Sequence, residues 1–281
     1  WGISFIATKV ALKEIHPFML LTLRYAIGAL LLFFFQYQRD KTFLKQFAYR
    51  DWIHIVILAT VGVSGLGLLQ AYGLLYTSAI NTGWIIAINP ILITVAARFF
   101  LDEAITTRKI AGILLGFLGL FLIITRGPFS LSLFGFASTF GDFLVFASAI
   151  AWTTFTVGGK RFLSRFNPLS SVTAIMVSGF LLILPLGILK GGWGNLFHLS
   201  PLTWVGVLFL GTFCSGLGYL FWYSALEKKD SGSVGMYLYL EPLVTLIGAS
   251  LFLGEPIYWI TLVGGAMTLA GVYLATWKAF K

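Results

Sequence analysis

The chain of 281 residues is 58% hydrophobic and only 10% charged, with a mean hydropathy of +0.92. A soluble domain carries roughly 25% charged residues, so this composition excludes a soluble protein and predicts one that crosses a membrane several times. The net charge of +9 does not indicate a nucleic-acid surface, because the basic residues lie in short connections between apolar runs. We therefore expect a lipid bilayer, and no nucleic acid, among the partners.

Apolar runs along the chain predict an all-α membrane protein with ten transmembrane helices. They cover approximately residues 1–12, 17–37, 52–76, 79–101, 107–124, 136–158, 168–189, 202–226, 231–253 and 257–277. The first run already begins at Trp1, so we expect the start of the first span to lie before this residue. An even number of spans places both ends of the chain on the same side of the membrane.

The basic residues are distributed unequally between the two sides of this topology. Fourteen Lys and Arg residues fall on the side of the chain ends, whereas the opposite side has only Lys13, Arg126 and Lys190. Because positive residues favour the cytoplasmic side, both termini are predicted to be cytoplasmic in an inner or plasma membrane.

The chain contains an internal repeat. At an offset of 151, Trp1, Lys9, Pro17 and Gly28 match Trp152, Lys160, Pro168 and Gly179, and at an offset of 152, Pro90, Glu103 and Gly112 match Pro242, Glu255 and Gly264. The repeat predicts two five-helix halves, residues 1–126 and 127–281. Because five is odd, the second half enters the membrane from the other side, which makes the repeat inverted.

Asn89-Pro90 and Glu241-Pro242 lie at the centres of the fourth and ninth spans. A proline within a helix removes a hydrogen-bond donor, and in a membrane the freed backbone needs other protein groups or a wet cavity. Two such breaks in matching places predict a transporter's binding site, with Pro90 and Pro242 as hinges. The alternative is that both prolines are ordinary kinks.

These residues resemble the ten-helix, EamA-type branch of the drug/metabolite transporter superfamily. The resemblance covers essentially the whole chain and is carried by Trp1-Gly2, Leu23-Arg24-Tyr25, Pro90 with Leu101-Asp102-Glu103, and Pro242 with Leu253-Gly254-Glu255. It implies a metabolite carrier, usually an exporter, with a central cavity lined by spans 1, 3, 4, 6, 8 and 9. It does not specify the substrate.

Glu241 is the first candidate for chemistry, because a carboxylate at the middle of a membrane is costly unless it is paired or hydrated. At helical spacing Tyr237, Glu241 and Thr245 share one face of the ninth span. Glu241 is therefore a candidate for substrate binding and for proton coupling. The alternative is a structural carboxyl group that is hydrogen-bonded to the broken backbone.

Other candidate binding residues are amide, hydroxyl and aromatic side chains on the spans that the resemblance places around the cavity. They are Gln70, Thr82, Asn89, Trp1, Phe5, Trp152, Phe155, Tyr219 and Trp222. Together they predict an aromatic-rich site for a small molecule. Each aromatic residue taken singly is also consistent with packing against lipid or a neighbouring helix.

Several charged residues remain open between a structural and a functional role. Lys9 and Arg24 lie inside spans, where each could reach the membrane interface or take part in function. Glu103 and Glu255 follow helix ends and are predicted to hold a neighbouring span, and Asp142 is a weaker candidate for an outer gate.

Glycines at short spacings in spans five and ten, such as Gly112, Gly116 and Gly119, predict close packing between helices. They also leave an oligomer contact open, and we expect a monomer or a weak homodimer.

No motif of an enzyme, a metal site, an ATP-binding domain or another cofactor site is recognisable in the sequence. The single Cys214 has no partner for an internal disulfide. The prediction is a secondary transporter that exports a small amphiphilic or aromatic metabolite, such as an amino acid, by alternating access. A passive channel is the alternative, and a membrane-embedded transferase ranks third.

Overall fold

The computed structural model describes residues 1–77, 79–125, 139–163, 165–253 and 259–276, which form helices and turns with no β-strand in these ranges. The predicted all-α class is confirmed. The helices are α1 Ser4–Ala11, α2 Pro17–Arg39, α3 Tyr49–Ala59, α4 Leu66–Tyr76, α5 Ala79–Ile86, α6 Asn89–Leu101, α7 Thr107–Thr125, α8 Thr139–Leu163, α9 Pro168–Lys190, α10 Pro201–Phe209, α11 Gly218–Lys228, α12 Ser231–Met236, α13 Leu240–Leu253 and α14 Trp259–Thr276. Two π-helical segments, π1 Thr60–Gly65 and π2 Leu210–Leu217, join α3 to α4 and α10 to α11.

Among the described residues, five continuous helices are long and apolar enough to cross a bilayer. They are Pro17–Arg39, Tyr49–Tyr76, Phe140–Leu163, Pro168–Lys190 and Pro201–Lys228. Asn89–Leu101 and Leu262–Ala275 are shorter apolar helices. This set is that of a multi-pass membrane protein, whereas the number of ten spans and their inverted repeat stay predictions.

The two π-helical segments interrupt spans that the sequence predicted as uninterrupted α-helices. A π-turn shifts the backbone hydrogen bonds by one residue, so nearby carbonyls accept from elsewhere. The Tyr25 hydroxyl donates to the Val63 carbonyl at 2.7 Å, and the Tyr219 hydroxyl donates to the Gly62 carbonyl at 2.9 Å. Both hydroxyls come from other helices, so π1 depends on tertiary contacts that a local pattern does not contain.

Both predicted proline breaks are present, each just before its proline. Helix α5 ends at Ile86 and α6 begins at Asn89, while a 3-10 turn separates α12 from α13. Pro90 and Pro242 therefore lie in the first turns of α6 and α13, where a missing backbone N–H costs least.

Helices α7 and α14 pack with their backbones in close contact. A Cβ atom at Gly112 would lie 2.6 Å from the Gly271 carbonyl oxygen, and one at Gly119 would lie 2.5 Å from that of Gly264. The predicted close packing is thus made inside the chain. Elsewhere α2 packs along α9, α4 along α8, and α6 against both α8 and α12.

Candidate substrate-binding cavity

A small cavity lies where α1 and α2 meet the proline breaks and the helices that follow the π-helical segments. It is lined by Trp1, Ser4, Phe5, Arg24, Leu66, Gln70, Ile86, Asn89, Trp152, Tyr219, Leu238 and Glu241. Its volume is about 40 Å³, which is room for roughly three water molecules.

The proline breaks border this cavity directly. A proline cannot donate a hydrogen bond to the carbonyl four residues before it, and these residues are Ile86 for Pro90 and Leu238 for Pro242. Ile86 and Leu238 both line the cavity. Both breaks therefore lie against the cavity, as the repeat led us to expect.

Two opposite charges face the cavity without pairing. Arg24 is buried, its Nε donates to the Ser215 hydroxyl at 2.6 Å, and its guanidinium carbon lies 5.6 Å from the centre of the Tyr25 ring. Glu241 lies in the first turn of α13, and its backbone carbonyl accepts from the Thr245 hydroxyl at 2.9 Å, whereas its carboxylate has no hydrogen-bond partner within the described residues. Within the described ranges no ion pair includes Arg24 or the Glu241 carboxylate.

Two further polar atoms of the wall lack a partner within the part of the chain that the structure describes. They are Oδ1 of Asn89 and Nε1 of Trp152, whose residues are 2% and 6% exposed. Buried polar atoms almost always find a hydrogen-bond partner in native proteins. Two residues of the cavity lining thus each have a side-chain polar atom whose hydrogen-bonding capacity is unused within the described residues.

One wall of the cavity is aromatic. The ring of Trp1 lies 5.0 Å from that of Trp152 and 6.1 Å from that of Tyr219, in edge-to-face arrangements. Trp222 packs 5.2 Å from Trp152, and Phe155 packs 5.4 Å from Tyr219. These contacts fix the ring orientations and leave an apolar surface against which a ligand could lie.

Seven of the eleven predicted binding residues line the cavity: Trp1, Phe5, Gln70, Asn89, Trp152, Tyr219 and Glu241. Phe155 and Trp222 lie behind the lining rings. Thr82 is fully buried in α5 without lining the cavity.

Tyr237 lies away from the cavity and is 42% exposed. The shared face of Tyr237 and Glu241 was inferred from α-helical spacing, but the 3-10 turn Tyr237–Tyr239 separates the two residues and changes their relative direction. Thr245 is buried, and its hydroxyl also donates to the Gly2 carbonyl at 2.7 Å.

Five residues that line the cavity were not among the predicted binding residues: Ser4, Arg24, Leu66, Ile86 and Leu238. Arg24 comes from α2, which is outside the set of spans that the resemblance implied. Its position as a cation inside an apolar run was the available signal, and a structural role had been left open. The apolar residues Leu66, Ile86 and Leu238 gave no signal, because apolar residues occur throughout every span.

At one end of the molecule, here called the basic end, Glu103 holds the start of α12. Its two carboxylate oxygens accept from the backbone N–H groups of Ser231 at 2.9 Å and Gly232 at 3.3 Å. Lys160 of α8 lies 3.4 Å from the same carboxylate and also donates to the Lys229 carbonyl. These contacts are those of the structural role predicted for Glu103, whereas Glu255 lies outside the described residues.

Asp230 adds a second tie at the basic end. Its carboxylate pairs with Lys109 of α7 at 2.5 Å and accepts from the Ser233 N–H at 2.8 Å. Burial acts to raise the pKa of Asp230, but the hydrogen bonds from Lys109 and Ser233 outweigh it and hold this pKa below its ordinary value.

The opposite end is tied through Lys9. Its ammonium group donates to the Thr77 carbonyl at 2.9 Å, and the Thr77 hydroxyl donates to the Asp142 carboxylate at 2.5 Å. Asp142 therefore bridges α8 to the end of α4. In the described ranges no three His, Cys, Asp or Glu residues are placed to hold a metal ion.

Comparison with protein families decides the class of this protein. The model of the EamA-like transporter family matches residues 1–125 and 139–277. The chain belongs to the EamA-like transporter family. This family is one of transporters and not of enzymes.

Relatives and a solved structure match this EamA-like transporter over most of its length. An uncharacterized transporter of Archaeoglobus fulgidus is 34% identical over 99% of the chain and 94% of its own length. A probable terminal-alkyne amino-acid exporter of Streptantibioticus cattleyicolor is 29% identical over 80% of the chain and 73% of its own length. A crystal structure with a TM-score of 0.74 and 18% identity covers the whole chain and 97% of the matched protein, and it shows the same fold.

Proposed function

We propose that this EamA-like transporter is a secondary active transporter that exports a small amphiphilic or aromatic metabolite, such as an amino acid, by alternating access. The observation that carries the proposal is a cavity bordered by both proline breaks, with an aromatic wall and unpaired polar groups. Its position between broken helices is that of substrate sites in secondary transporters. The exporter from Streptantibioticus, named for an amino acid, supports the substrate class.

The proposed architecture is ten spans in two inverted halves, residues 1–126 and 127–281, with both termini in the cytoplasm. Equivalent contacts at the two ends support it. Lys9 donates to the Thr77 carbonyl, and Lys160 donates to that of Lys229, so both donor and acceptor recur at the repeat offsets of 151 and 152. The packing of α7 on α14 uses the glycines inside the chain and supports a monomer or a weak homodimer.

The size of the cavity supports alternating access. A volume of about 40 Å³ is far below the several hundred Å³ of a typical small-molecule site, so substrate entry requires the walls to separate. The breaks before Pro90 and Pro242 are the places where helix halves can tilt with the smallest loss of backbone hydrogen bonds. The contacts of Glu103 and Asp230 tie α12 to neighbouring helices at the basic end.

Glu241 is the proposed proton-coupling residue. Its carboxylate has no hydrogen-bond partner among the described residues, which argues against the alternative of a structural carboxyl tied to the backbone. When the cavity is open to water, hydration favours the ionised carboxylate of Glu241. When the cavity is closed, this carboxylate favours binding a proton or a cationic ligand. Glu241→Gln keeps the shape but cannot ionise.

Counterflow in proteoliposomes tests the proposal. Vesicles preloaded with an unlabelled metabolite should accumulate the labelled compound transiently above its outside concentration, which a passive channel cannot do. Glu241→Gln should abolish the pH dependence of the rate, whereas Glu227→Gln, on the exposed surface of α11, should leave it unchanged. Flux without counterflow would favour the channel, and an unchanged rate and pH dependence in Glu241→Gln would remove this residue from coupling.

A further inference from the structure

The cavity wall contains a buried cation that has no ion-pair partner among the described residues. It is the guanidinium group of Arg24, a residue that is 9% exposed. A buried charge is costly unless it is paired, and within the described ranges the guanidinium has one hydrogen bond, from Nε to the Ser215 hydroxyl. No hydrogen bond of its two terminal nitrogens is seen within the described ranges, so these donors are available to an anion.

The geometry of that single hydrogen bond favours a particular kind of anion. With Nε held by Ser215, and the side chain beside the Tyr25 ring, the guanidinium is fixed in orientation. The terminal nitrogens then present two parallel donors, a fork that matches the two oxygens of a carboxylate.

A carboxylate of opposite charge faces the same cavity from another helix. Glu241 of α13 lines the cavity but does not pair with Arg24. A ligand that carried only a carboxylate would leave Glu241 facing it as a like charge. A ligand with only an ammonium group would leave Arg24 unpaired.

We infer that the cavity binds a zwitterion, with its carboxylate on Arg24, its ammonium group on Glu241 and its apolar part against the Trp152 and Tyr219 rings. The inference rests on the proposed transport function and names the substrate class of that site. Asn89 and Trp152 line the same cavity, and each has a side-chain polar atom without a hydrogen-bond partner among the described residues. Such a ligand would also link α2 to the broken helix α12–α13, so binding is tied to the elements that must move.

Four compounds of similar shape separate the effects of the two charges. L-phenylalanine carries both charges and L-phenylalaninamide only the positive one. 3-Phenylpropanoate carries only the negative charge, and 3-phenylpropanamide carries neither. A second set built on L-leucine covers a smaller apolar part. Affinity is measured with the purified full chain by ligand-induced thermal stabilisation. A charged hydrogen bond contributes enough that the zwitterion should bind about tenfold or more tightly than either singly charged analogue.

Two variants test the two ends of the ligand. Arg24→Gln should weaken binding of L-phenylalanine about tenfold or more and change the affinity for L-phenylalaninamide by less than about threefold. Glu241→Gln should also weaken binding of L-phenylalanine about tenfold or more, but it should change the affinity for 3-phenylpropanoate by less than about threefold. Arg24→Lys keeps the charge without the fork, so it gives an intermediate loss even if the Gln variant does not fold. Arg98→Gln and Glu227→Gln, on exposed helix faces, are the charge-matched controls.

The proposed binding of a zwitterion between Arg24 and Glu241, here called the clamp, is overturned if a singly charged analogue binds as tightly as the zwitterion. It is also overturned if Arg24→Gln weakens the binding of all four compounds equally. It is also overturned if no compound of either set binds. None of these results removes the transport proposal, which is decided independently by counterflow with a broader panel of metabolites. Failure of counterflow with zwitterion binding intact would reject transport and leave the clamp standing.

Discussion

Replacement of Glu103 by Gln tests whether the basic end is held as the structure indicates. The carboxylate accepts one hydrogen bond on each oxygen, from the N–H groups of Ser231 and Gly232, and lies 3.4 Å from Lys160. Gln has nearly the same shape, but one of its two positions is a donor. One N–H group at the start of α12 would therefore lose its acceptor and face an NH2 group.

The expected cost follows from these contacts. A hydrogen bond to a charged group contributes about 1.5–3 kcal/mol, and one of the two is lost outright. The ion pair with Lys160 adds at most about 1 kcal/mol, because both side chains are partly exposed to solvent. Asp230 still accepts from the Ser233 N–H, so α12 keeps its other cap. The free energy of unfolding should fall by about 2 kcal/mol.

Equilibrium unfolding in mixed micelles, followed by circular dichroism, measures this change against a neighbouring control. Asp102→Asn removes the adjacent carboxylate, which is 96% exposed and makes a solvent-exposed ion pair with Arg98 at 3.7 Å. Asp102 has a left-handed backbone conformation, which Asn tolerates. The control should change stability by less than about 0.5 kcal/mol. Equal effects of the two substitutions would refute the assignment of Glu103 as the residue that holds α12.

Two further outcomes are expected. Gly119→Ala should lower the free energy of unfolding by about 1–3 kcal/mol, because its Cβ would lie 2.5 Å from the Gly264 carbonyl oxygen. Gly83→Ala is the control and should not lower this free energy, because a Cβ atom there would have open space around it. Equal melting temperatures for the two variants would contradict the packing of α7 against α14. Because the folded-state pKa of Asp230 is below its ordinary value of 3.8, its contribution to stability is complete above that pH and is lost as the pH falls through the folded-state pKa. The loss caused by Asp230→Asn, measured by unfolding at several pH values, should thus be constant from about pH 8 to 5 and shrink in stronger acid; a loss that persists unchanged there would show that Lys109 does not stabilise the charged form.

The sequence predicted the parts of the fold that local chemistry determines. Pro90 and Pro242 removed donors at fixed positions, so breaks in the fourth and ninth spans were predictable, and the structure has both. Trp1 and Trp152 occupy matching positions of the sequence repeat, and their rings meet in one cavity wall.

The remaining features depend on contacts between distant parts of the chain. The π1 segment is held by hydroxyl groups from α2 and α11, and neither donor can be read from the residues of π1 itself. Tyr237 was placed by α-helical spacing, which the 3-10 turn after α12 does not keep. A pattern of one residue per 100° is informative only while the helix is continuous.

Arg24 illustrates a different limit, because its identity was visible in the sequence but its role was not. A cation in an apolar run is consistent with a side chain that reaches the membrane interface, and that alternative is removed only by its contact with Ser215, 191 residues away. Once Arg24 is placed, its lack of a counter-charge among the described residues becomes informative. The buried Arg24 and the partly buried Glu241 line one cavity and could have formed an ion pair, or apolar side chains could have replaced both with a gain in stability. A wall that keeps both charges apart holds a cost in the unliganded protein, and such a cost is typical of residues retained for a ligand rather than for the fold.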